Sequence, residues 1–302
     1  MGADAGMTTI PARTLPRPRD LLELAKPVTW FPPMWAYLCG VVSASVPLAE
    51  RWPQLVAGML LAGPLVCGTS QAVNDWFDRD VDAINEPGRP IPSGRVPGRW
   101  GLGVAVAGTL VSLAVAALIG PVVLGATVVG LLLAWGYSTP WPRLKRSGWW
   151  GPATTGFAYE GLTWFTGAAA MTGGMPDARV LALVLLFSVG AHGIMTLNDF
   201  KAVEGDRRMG IRSLPVVLGE ACAARLACVV MTLPQLAVVA LLWRWGLPWH
   251  AALVGVGVIL QLGFMRRLLT APAALAPWYN GTGVLTYVLG MLVAAIGVGS
   301  LQ

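Results

Sequence analysis

The residues best suited to chemistry lie in one stretch, residues 74–95, which directly follows an apolar run. Its sequence is NDWFDRDVDAINEPGRPIPSGR, and it places four aspartates within eight positions: Asp75, Asp78, Asp80 and Asp82. Carboxylates at a membrane boundary are costly and are usually functional where they occur. The alternative is a solvated acidic loop, but a second acidic cluster in an equivalent position favours a functional site.

Asn74, Asp78 and Asp82 recur every four positions and therefore share one face of a helix. Like charges at this spacing repel each other, so we expect a cation on the same face. Mg²⁺ typically binds one or two carboxylates and completes its shell with substrate phosphates. The pattern therefore predicts a magnesium site formed by these three residues, with Asp78 and Asp82 as catalytic residues.

The second acidic cluster, residues 198–210, has the sequence NDFKAVEGDRRMG. Asp199 and Asp206 are seven positions apart and share a helical face, so we expect them to hold a second metal ion or to share the first. We count Asp206 among the catalytic residues. Glu204 falls on another face and is expected to pair with a loop arginine.

Basic residues are interleaved with both acidic clusters. Metal ions held by carboxylates, together with Arg and Lys, neutralise phosphate oxygens and stabilise the charge of a departing diphosphate. A long hydrocarbon attached to that diphosphate would belong in the bilayer. The sequence therefore predicts a transferase for a polyprenyl diphosphate, with a cavity inside the membrane. The basic residues that favour this interpretation are Arg79, Lys145, Arg207 and Arg208.

The elements that position these residues are predicted to be membrane helices. The chain has 302 residues, of which 55% are hydrophobic and only 12% are charged, a composition typical of membrane proteins. We expect a polar N-terminal tail, residues 1–20, and a single membrane domain, residues 21–302. Nine spans are predicted: 29–46, 53–73, 102–119, 121–137, 152–172, 179–197, 221–243, 249–265 and 280–299.

The basic residues also predict an orientation. With nine spans, Arg51, Arg179 and Arg244 are the outer members of the 21 lysines and arginines, and all others fall on the opposite side. The positive-inside rule then places the N-terminus and both acidic clusters in the cytoplasm. This distribution accounts for the net charge of +6 without a nucleic-acid partner, so we expect the lipid bilayer and no nucleic acid.

An ion-coupled transporter and a pigment-binding scaffold are the two alternative function classes. A transporter would place carboxylates near the middle of the bilayer, whereas these clusters lie at the ends of spans. A pigment-binding scaffold without catalysis would need several histidines as ligands, and the chain has two.

The motifs resemble those of the UbiA-type intramembrane prenyltransferases. The resemblance rests on NDxxDxxxD after the second span and a GD-containing motif after the sixth, and it covers nearly the whole chain after residue 20. The strings NDWFDRDVDAINEPGRPIPSGR, NDFKAVEGDRRMGIRSLPV and GFAYEGLTWFTG are similar to its (bacterio)chlorophyll synthase branch. The resemblance implies an all-α membrane protein with nine transmembrane helices in a UbiA-like bundle around a central cavity. The cavity is expected to be capped by the inner loops that join spans 2 and 3 and spans 6 and 7.

The resemblance also implies an activity. This is the Mg²⁺-dependent transfer of a geranylgeranyl or phytyl group from its diphosphate to the propionate of bacteriochlorophyllide, with release of diphosphate. Chlorophyllide, a quinone precursor or haem are alternative acceptors. The implied location is a bacterial inner membrane, cytoplasmic or intracytoplasmic and photosynthetic, with pigment-assembly or reductase proteins as partners.

The resemblance implies further site residues: the string YSTPWPRLKR implies that Tyr137, Arg143 and Lys145 bind the diphosphate. Arg79 and Arg207, which are interleaved with the acidic clusters, are expected to be further diphosphate ligands.

The chain departs from the family at Ala202, where many relatives carry the first aspartate of a motif that ends at the position of Asp206. Asp199 could replace that aspartate, or phosphate and water could hold the second Mg²⁺.

Glu160 in the fifth span and His192 in the sixth are candidates for binding the tetrapyrrole. Each has a structural alternative: a pairing with a neighbouring helix for Glu160, and a helix-packing hydrogen bond for His192.

Overall fold

The structure, a computed structural model, describes residues 15–302 and is almost entirely helical there. The predicted tail, residues 1–20, lies outside the described residues as far as residue 14. The predicted class, an all-α membrane protein, is confirmed. The helices are α1 (Pro18–Leu24), α2 (Phe31–Ser43), α3 (Leu48–Asn85), α4 (Trp100–Ile119), α5 (Pro121–Ser138), α6 (150–172), α7 (Ala178–Asn198), α8 (Val203–Arg208), α9 (Leu214–Leu218), α10 (Glu220–Arg244), α11 (Pro248–Leu268) and α12 (Pro272–Gly299).

Seven helices in the described part of the chain are long and apolar enough to cross a membrane. The predicted count of nine is therefore not confirmed. The spans predicted at 29–46 and 152–172 correspond to α2 and α6, and neither helix is among the seven. Helix α2 has 13 residues. At 1.5 Å per residue it is about 20 Å long, shorter than the ~30 Å hydrocarbon core of a bilayer.

Helices α2 and α6 instead pack closely against each other. A Cβ atom at Gly40 would overlap the backbone of Trp164, and one at Gly167 would overlap the carbonyl of Tyr37. The indole Nε1 of Trp164 donates a hydrogen bond to Ser43 Oγ at 3.1 Å. Small residues that let two backbones meet are typical of helix contacts in membranes.

Two helices each contain a π-helical segment, in which the hydrogen bonds skip one extra residue. These segments are Leu61–Cys67 in α3 and Phe157–Leu162 in α6. The first contains Pro64, which has no backbone N–H to donate. Such segments change the direction in which side chains project and occur frequently at functional sites. Here Cys67 and Tyr159, one from each segment, line the same cavity.

The loops at one end of the bundle form a cap. Backbone bonds join the loop before α6 to the segment after α8: Gly148 N donates to Arg212 O at 2.8 Å, and Arg212 N donates to Arg146 O at 3.1 Å. Residues 139–149 are thus a third part of the cap, in addition to the two loops predicted from the sequence.

The first cap loop, residues 86–99, is tied to α1 by one arginine. Arg95 donates to Asp20 Oδ1 at 2.8 Å and to Glu23 Oε2 at 2.5 Å. The hydrogen bond from Arg95 holds the pKa of the Glu23 carboxyl below its ordinary value. This loop is therefore anchored electrostatically to the start of the described chain.

Candidate functional site

A cavity of about 930 Å³ lies beneath the cap, with side chains from α3, α5, α6 and α7 around it. Its volume is at the upper end of the range for ligand sites. Charged side chains of both acidic clusters and of the cap line it, and apolar side chains such as Leu61, Ala126 and Leu162 line it as well. The predicted site residues found in its lining are Asn74, Asp78, Tyr137, Arg143, Lys145, Asp199 and Asp206.

Asp78 is bound by two basic residues of the cap. Lys145 Nζ lies 2.5 Å from Asp78 Oδ2, and Arg143 Nη2 lies 3.4 Å from Asp78 Oδ1. Burial lowers the pKa of the Lys145 ammonium, and the charge of Asp78 opposes that shift. The first acidic motif and the YSTPWPRLKR segment, distant in sequence, thus meet at one carboxylate.

Arg143 has an unusual backbone conformation. Its φ of 51° and ψ of 56° place it in the left-handed region, which residues other than glycine rarely adopt. Backbone strain of this kind concentrates at functional sites. Its Nε atom is buried without a hydrogen-bond partner in the described structure, so the guanidinium retains a donor for a ligand.

The second acidic cluster meets the first at the cavity. Asp199 and Asp206 line it together with Asn74, and the carboxylates of Asp199 and Asp206 are close enough to repel each other. Asn74 Nδ2 donates to Ser138 Oγ at 3.3 Å, an orientation that leaves its Oδ1 available as a ligand. Ala202 also lines the cavity.

These donors fit a divalent cation that is shared with a substrate. All are oxygen donors, and the mutual repulsion of Asp199 and Asp206 would be relieved by a cation between them. In residues 15–302, no three His, Cys, Asp or Glu side chains form a metal-sized cluster by themselves. Mg²⁺ binds few carboxylates and takes further ligands from phosphate and water.

Three of the predicted metal-binding and diphosphate-binding residues do not line the cavity. Asp82 Oδ2 accepts a hydrogen bond from Arg89 Nη1 at 2.8 Å. Arg79 donates to the carbonyl of Trp76 at 2.7 Å and stacks over its ring. Arg207 is exposed and contacts Glu204, which also pairs with Arg208. Glu204 was predicted to pair with a loop arginine, but both partners lie on the same short helix, α8.

Glu160 and His192 are both buried, and neither lines the cavity. The Oε2 atom of Glu160 has no hydrogen-bond partner among the described residues. His192 Nε2 lies 3.2 Å from the carbonyl of Trp149, and its Nδ1 lies 3.4 Å from Thr196 Oγ1. Because both imidazole nitrogens face protein partners, this geometry favours the packing role for His192.

Sequence reasoning missed several residues of the site. Arg146 and Lys201 line the cavity and add positive charge near the acidic clusters. Both lie inside motifs quoted above, Arg146 in YSTPWPRLKR and Lys201 in NDFKAVEGDRRMG, so membership of those motifs was the available signal. Gln71 and Tyr159 also line the cavity, and each lies in a predicted membrane span. Tyr159 belongs to the string GFAYEGLTWFTG, to which the sequence assigned no role for this residue.

Comparison with known proteins finds a family and relatives that match most of the chain. Residues 33–280 match the UbiA prenyltransferase family. The chain is 58% identical to the bacteriochlorophyll synthase 33 kDa chain of Cereibacter sphaeroides, over 96% of both chains. It is 54% identical to the protein of the same name from Rhodobacter capsulatus, over 95% of both chains.

The fold is also similar to solved structures. A UbiA homolog from Archaeoglobus fulgidus, bound to GPP and Mg²⁺, superimposes with a TM-score of 0.72 at 18% identity, over 90% of this chain and 99% of that one. The helical bundle, the family match over most of its length and the two highly similar relatives establish that this chain belongs to the UbiA prenyltransferase family.

Proposed function

We propose that this chain transfers a geranylgeranyl or phytyl group from its diphosphate to the propionate carboxylate of bacteriochlorophyllide, forming esterified bacteriochlorophyll and diphosphate. The observation that carries the proposal is the composition of the cavity wall, where both acidic clusters and the cap's basic residues occur together with apolar side chains. A diphosphate requires the charged groups, and a hydrocarbon chain requires the apolar ones. The two bacteriochlorophyll synthase relatives supply the acceptor.

The charged residues have distinct roles in this proposal. Asn74, Asp78, Asp199 and Asp206 would hold Mg²⁺, and Asp82 would join them once separated from Arg89. When bound, Mg²⁺ neutralises phosphate oxygens and stabilises the leaving diphosphate. Lys145 and Arg143 contact the same phosphate, together with the Tyr137 hydroxyl. Arg79 and Arg207 are proposed as outer ligands because they are interleaved with the acidic clusters.

The reaction needs no base. The propionate is ionised near neutral pH, because the pKa of a carboxyl group lies near 4. One of its oxygens forms a bond to the first prenyl carbon while the bond from that carbon to the diphosphate breaks. The electron pair leaves with the diphosphate, whose charge the basic residues stabilise. Water would compete for the prenyl cation, so the apolar part of the cavity would protect the reaction by limiting the access of water.

The placement of the protein follows from the same proposal. We infer a single membrane domain over residues 21–302, in a bacterial inner or intracytoplasmic photosynthetic membrane, with the N-terminus and the cap in the cytoplasm. Pigment-assembly or reductase proteins that supply or receive the pigment are proposed partners on the same ground. Glu160, with an unpaired buried oxygen, is proposed to shape the pigment pocket.

The direct test is an esterification assay with several acceptors in parallel. Membranes that contain the chain are incubated with Mg²⁺, geranylgeranyl diphosphate and either bacteriochlorophyllide, chlorophyllide or a quinone precursor. We expect the bacteriochlorophyllide ester as the main product. A main product from chlorophyllide or the quinone precursor would overturn the acceptor assignment. An absence of any ester together with ion flux in sealed vesicles would instead favour a transporter.

A further inference from the structure

Two polar side chains in the cavity wall contact each other and have no role in the proposal above. Gln71 in α3 and Tyr159 in α6 both line the cavity, and Gln71 Nε2 donates to Tyr159 Oη at 3.2 Å. The Sγ atom of Cys67 lies 3.4 Å from the same hydroxyl. Apolar residues such as Val66 and Leu162 line the wall beside them.

The pair lies where two π-helical segments meet. Tyr159 belongs to the π-helical segment Phe157–Leu162, and Cys67 ends the π-helical segment Leu61–Cys67. The two irregular segments thus meet at the Tyr159 hydroxyl. Segments of this kind cost regular hydrogen bonds and recur at functional sites. Two such segments meeting at one cavity point to a ligand-binding role.

The position of Gln71 along α3 places the pair near the atoms that react. Gln71 precedes Asn74 by three positions and Asp78 by seven, and all three line the cavity from α3. With a rise of 1.5 Å per residue, Gln71 lies about 4.5 Å from the level of Asn74 and about 10 Å from that of Asp78. A prenyl chain that extends inward from its diphosphate therefore passes its first carbons at the level of Gln71 and Tyr159.

The pair retains hydrogen-bond donors for a ligand. An amide nitrogen carries two hydrogens, and the bond to Tyr159 uses one of those on Gln71. Cys67 Sγ also donates to the Tyr159 oxygen, so the Tyr159 O–H keeps its own hydrogen for a carboxylate, which is a strong acceptor. A carboxylate in an apolar cavity must be hydrogen-bonded, because an unpaired charge there is costly.

We propose that the Gln71 amide and the Tyr159 hydroxyl bind the carboxylate of the acceptor and hold it beside the first prenyl carbon. This inference rests on the proposed function and names the acceptor subsite within it. Both donors are neutral, so they orient the carboxylate without cancelling its charge as Lys145 or Arg143 would. In the reaction one carboxylate oxygen forms the bond to carbon, the carbon–diphosphate bond breaks, and the electron pair leaves with diphosphate.

The test measures acceptor and donor binding separately in Tyr159→Phe and Gln71→Met. A hydrogen bond to a charged group contributes enough that we expect the KM for bacteriochlorophyllide to rise about 10-fold in each variant. The KM for geranylgeranyl diphosphate and the Mg²⁺ dependence should stay within about twofold of wild type. The matched control is Tyr279→Phe, which removes a buried hydroxyl that has no partner in the described structure and does not line the cavity.

A second measurement uses the propionate methyl ester of bacteriochlorophyllide as a competitive inhibitor, since it has no free carboxylate to esterify. Wild type should bind this ester about 10-fold more weakly than the free acid. The double variant, which carries both Tyr159→Phe and Gln71→Met, should bind the ester and the acid equally. Discrimination that persists in the double variant, or equal rises in both KM values, would overturn the inference. A wild-type protein that forms no ester would instead overturn the proposed function.

Discussion

Asp78 is the residue where the separate parts of the site meet. It comes from the first acidic motif, it accepts ion pairs from Lys145 and Arg143 of the cap, and it shares the cavity with Asp199 of the second motif. The two basic partners that it holds are also the groups placed to bind a phosphate. Asp78 therefore both ligates the cation in our proposal and positions the basic side chains around it.

We predict that Asp78→Asn lowers the rate of ester formation by about 100-fold or more, because the amide neither attracts a cation nor orders Lys145 by charge. Asp80→Asn is the matched control: it lies two positions along the same helix, and its side chain is 86% exposed. Initial rates at saturating Mg²⁺ provide the measurement, with thermal unfolding in detergent as the check on folding. Equal rates for the two variants would refute the role of Asp78.

We predict that the activity depends on the protonation of Lys145 and therefore on pH. Burial lowers the pKa of its ammonium, so the charge that faces Asp78 and the diphosphate is lost at a lower pH than in an exposed lysine. Activity should therefore be present below that pKa and fall as pH rises through it. In Lys145→Arg the guanidinium stays charged, so the alkaline fall should move to higher pH. An alkaline limb unchanged by this substitution would show that another group controls it.

The side chains that each helix brings to the site could be predicted from the sequence only in part. The acidic motifs were visible because like charges spaced along one helical face require a cation. The pairing of Asp82 with Arg89 and that of Gln71 with Tyr159 were not predictable. Both depend on where a loop or a π-helical segment directs a side chain, and neither segment has a distinctive hydrophobic period.

The close packing of α2 and α6 yields a prediction for stability. A methyl group at Gly167 would meet the carbonyl of Tyr37, so Gly167→Ala should lower the free energy of unfolding by about 1–3 kcal/mol. Gly125→Ala is the control, because no atom lies within 4 Å of its added Cβ and alanine favours a helix. Denaturant unfolding in detergent compares them. A loss in Gly125→Ala as large as that in Gly167→Ala would contradict this packing account.

For the molecule as a whole, the sequence predicted the membrane class and the convergence of both acidic motifs at one cavity, while the count of nine spans is not confirmed. Helices α2 and α6 are the two predicted spans outside the seven that are long and apolar enough: α2 is short, and α6 is rich in small residues. A hydropathy window cannot tell whether their apolar side chains face lipid or a neighbouring helix.

The proposed orientation can be tested with a native thiol. Cys222 is exposed near the cap end of α10, whereas Cys39, Cys67 and Cys228 are buried. A membrane-impermeant maleimide should label Cys222 in inside-out vesicles and not in right-side-out vesicles. In a Cys222→Ser background, Met175→Cys, which lies in the loop between α6 and α7, should show the opposite pattern. Labelling of both sites from the same side would overturn the topology.

The central claim is that a cation held at the meeting of the two acidic motifs drives the departure of diphosphate as the pigment ester forms. The most direct measurement is the yield of diphosphate and of ester from purified protein, with bacteriochlorophyllide and geranylgeranyl diphosphate, before and after divalent cations are removed. We predict equal yields with Mg²⁺, loss of both on chelation and recovery of both when Mg²⁺ is restored. Ester formation that continues at the same rate without divalent cations would contradict the account.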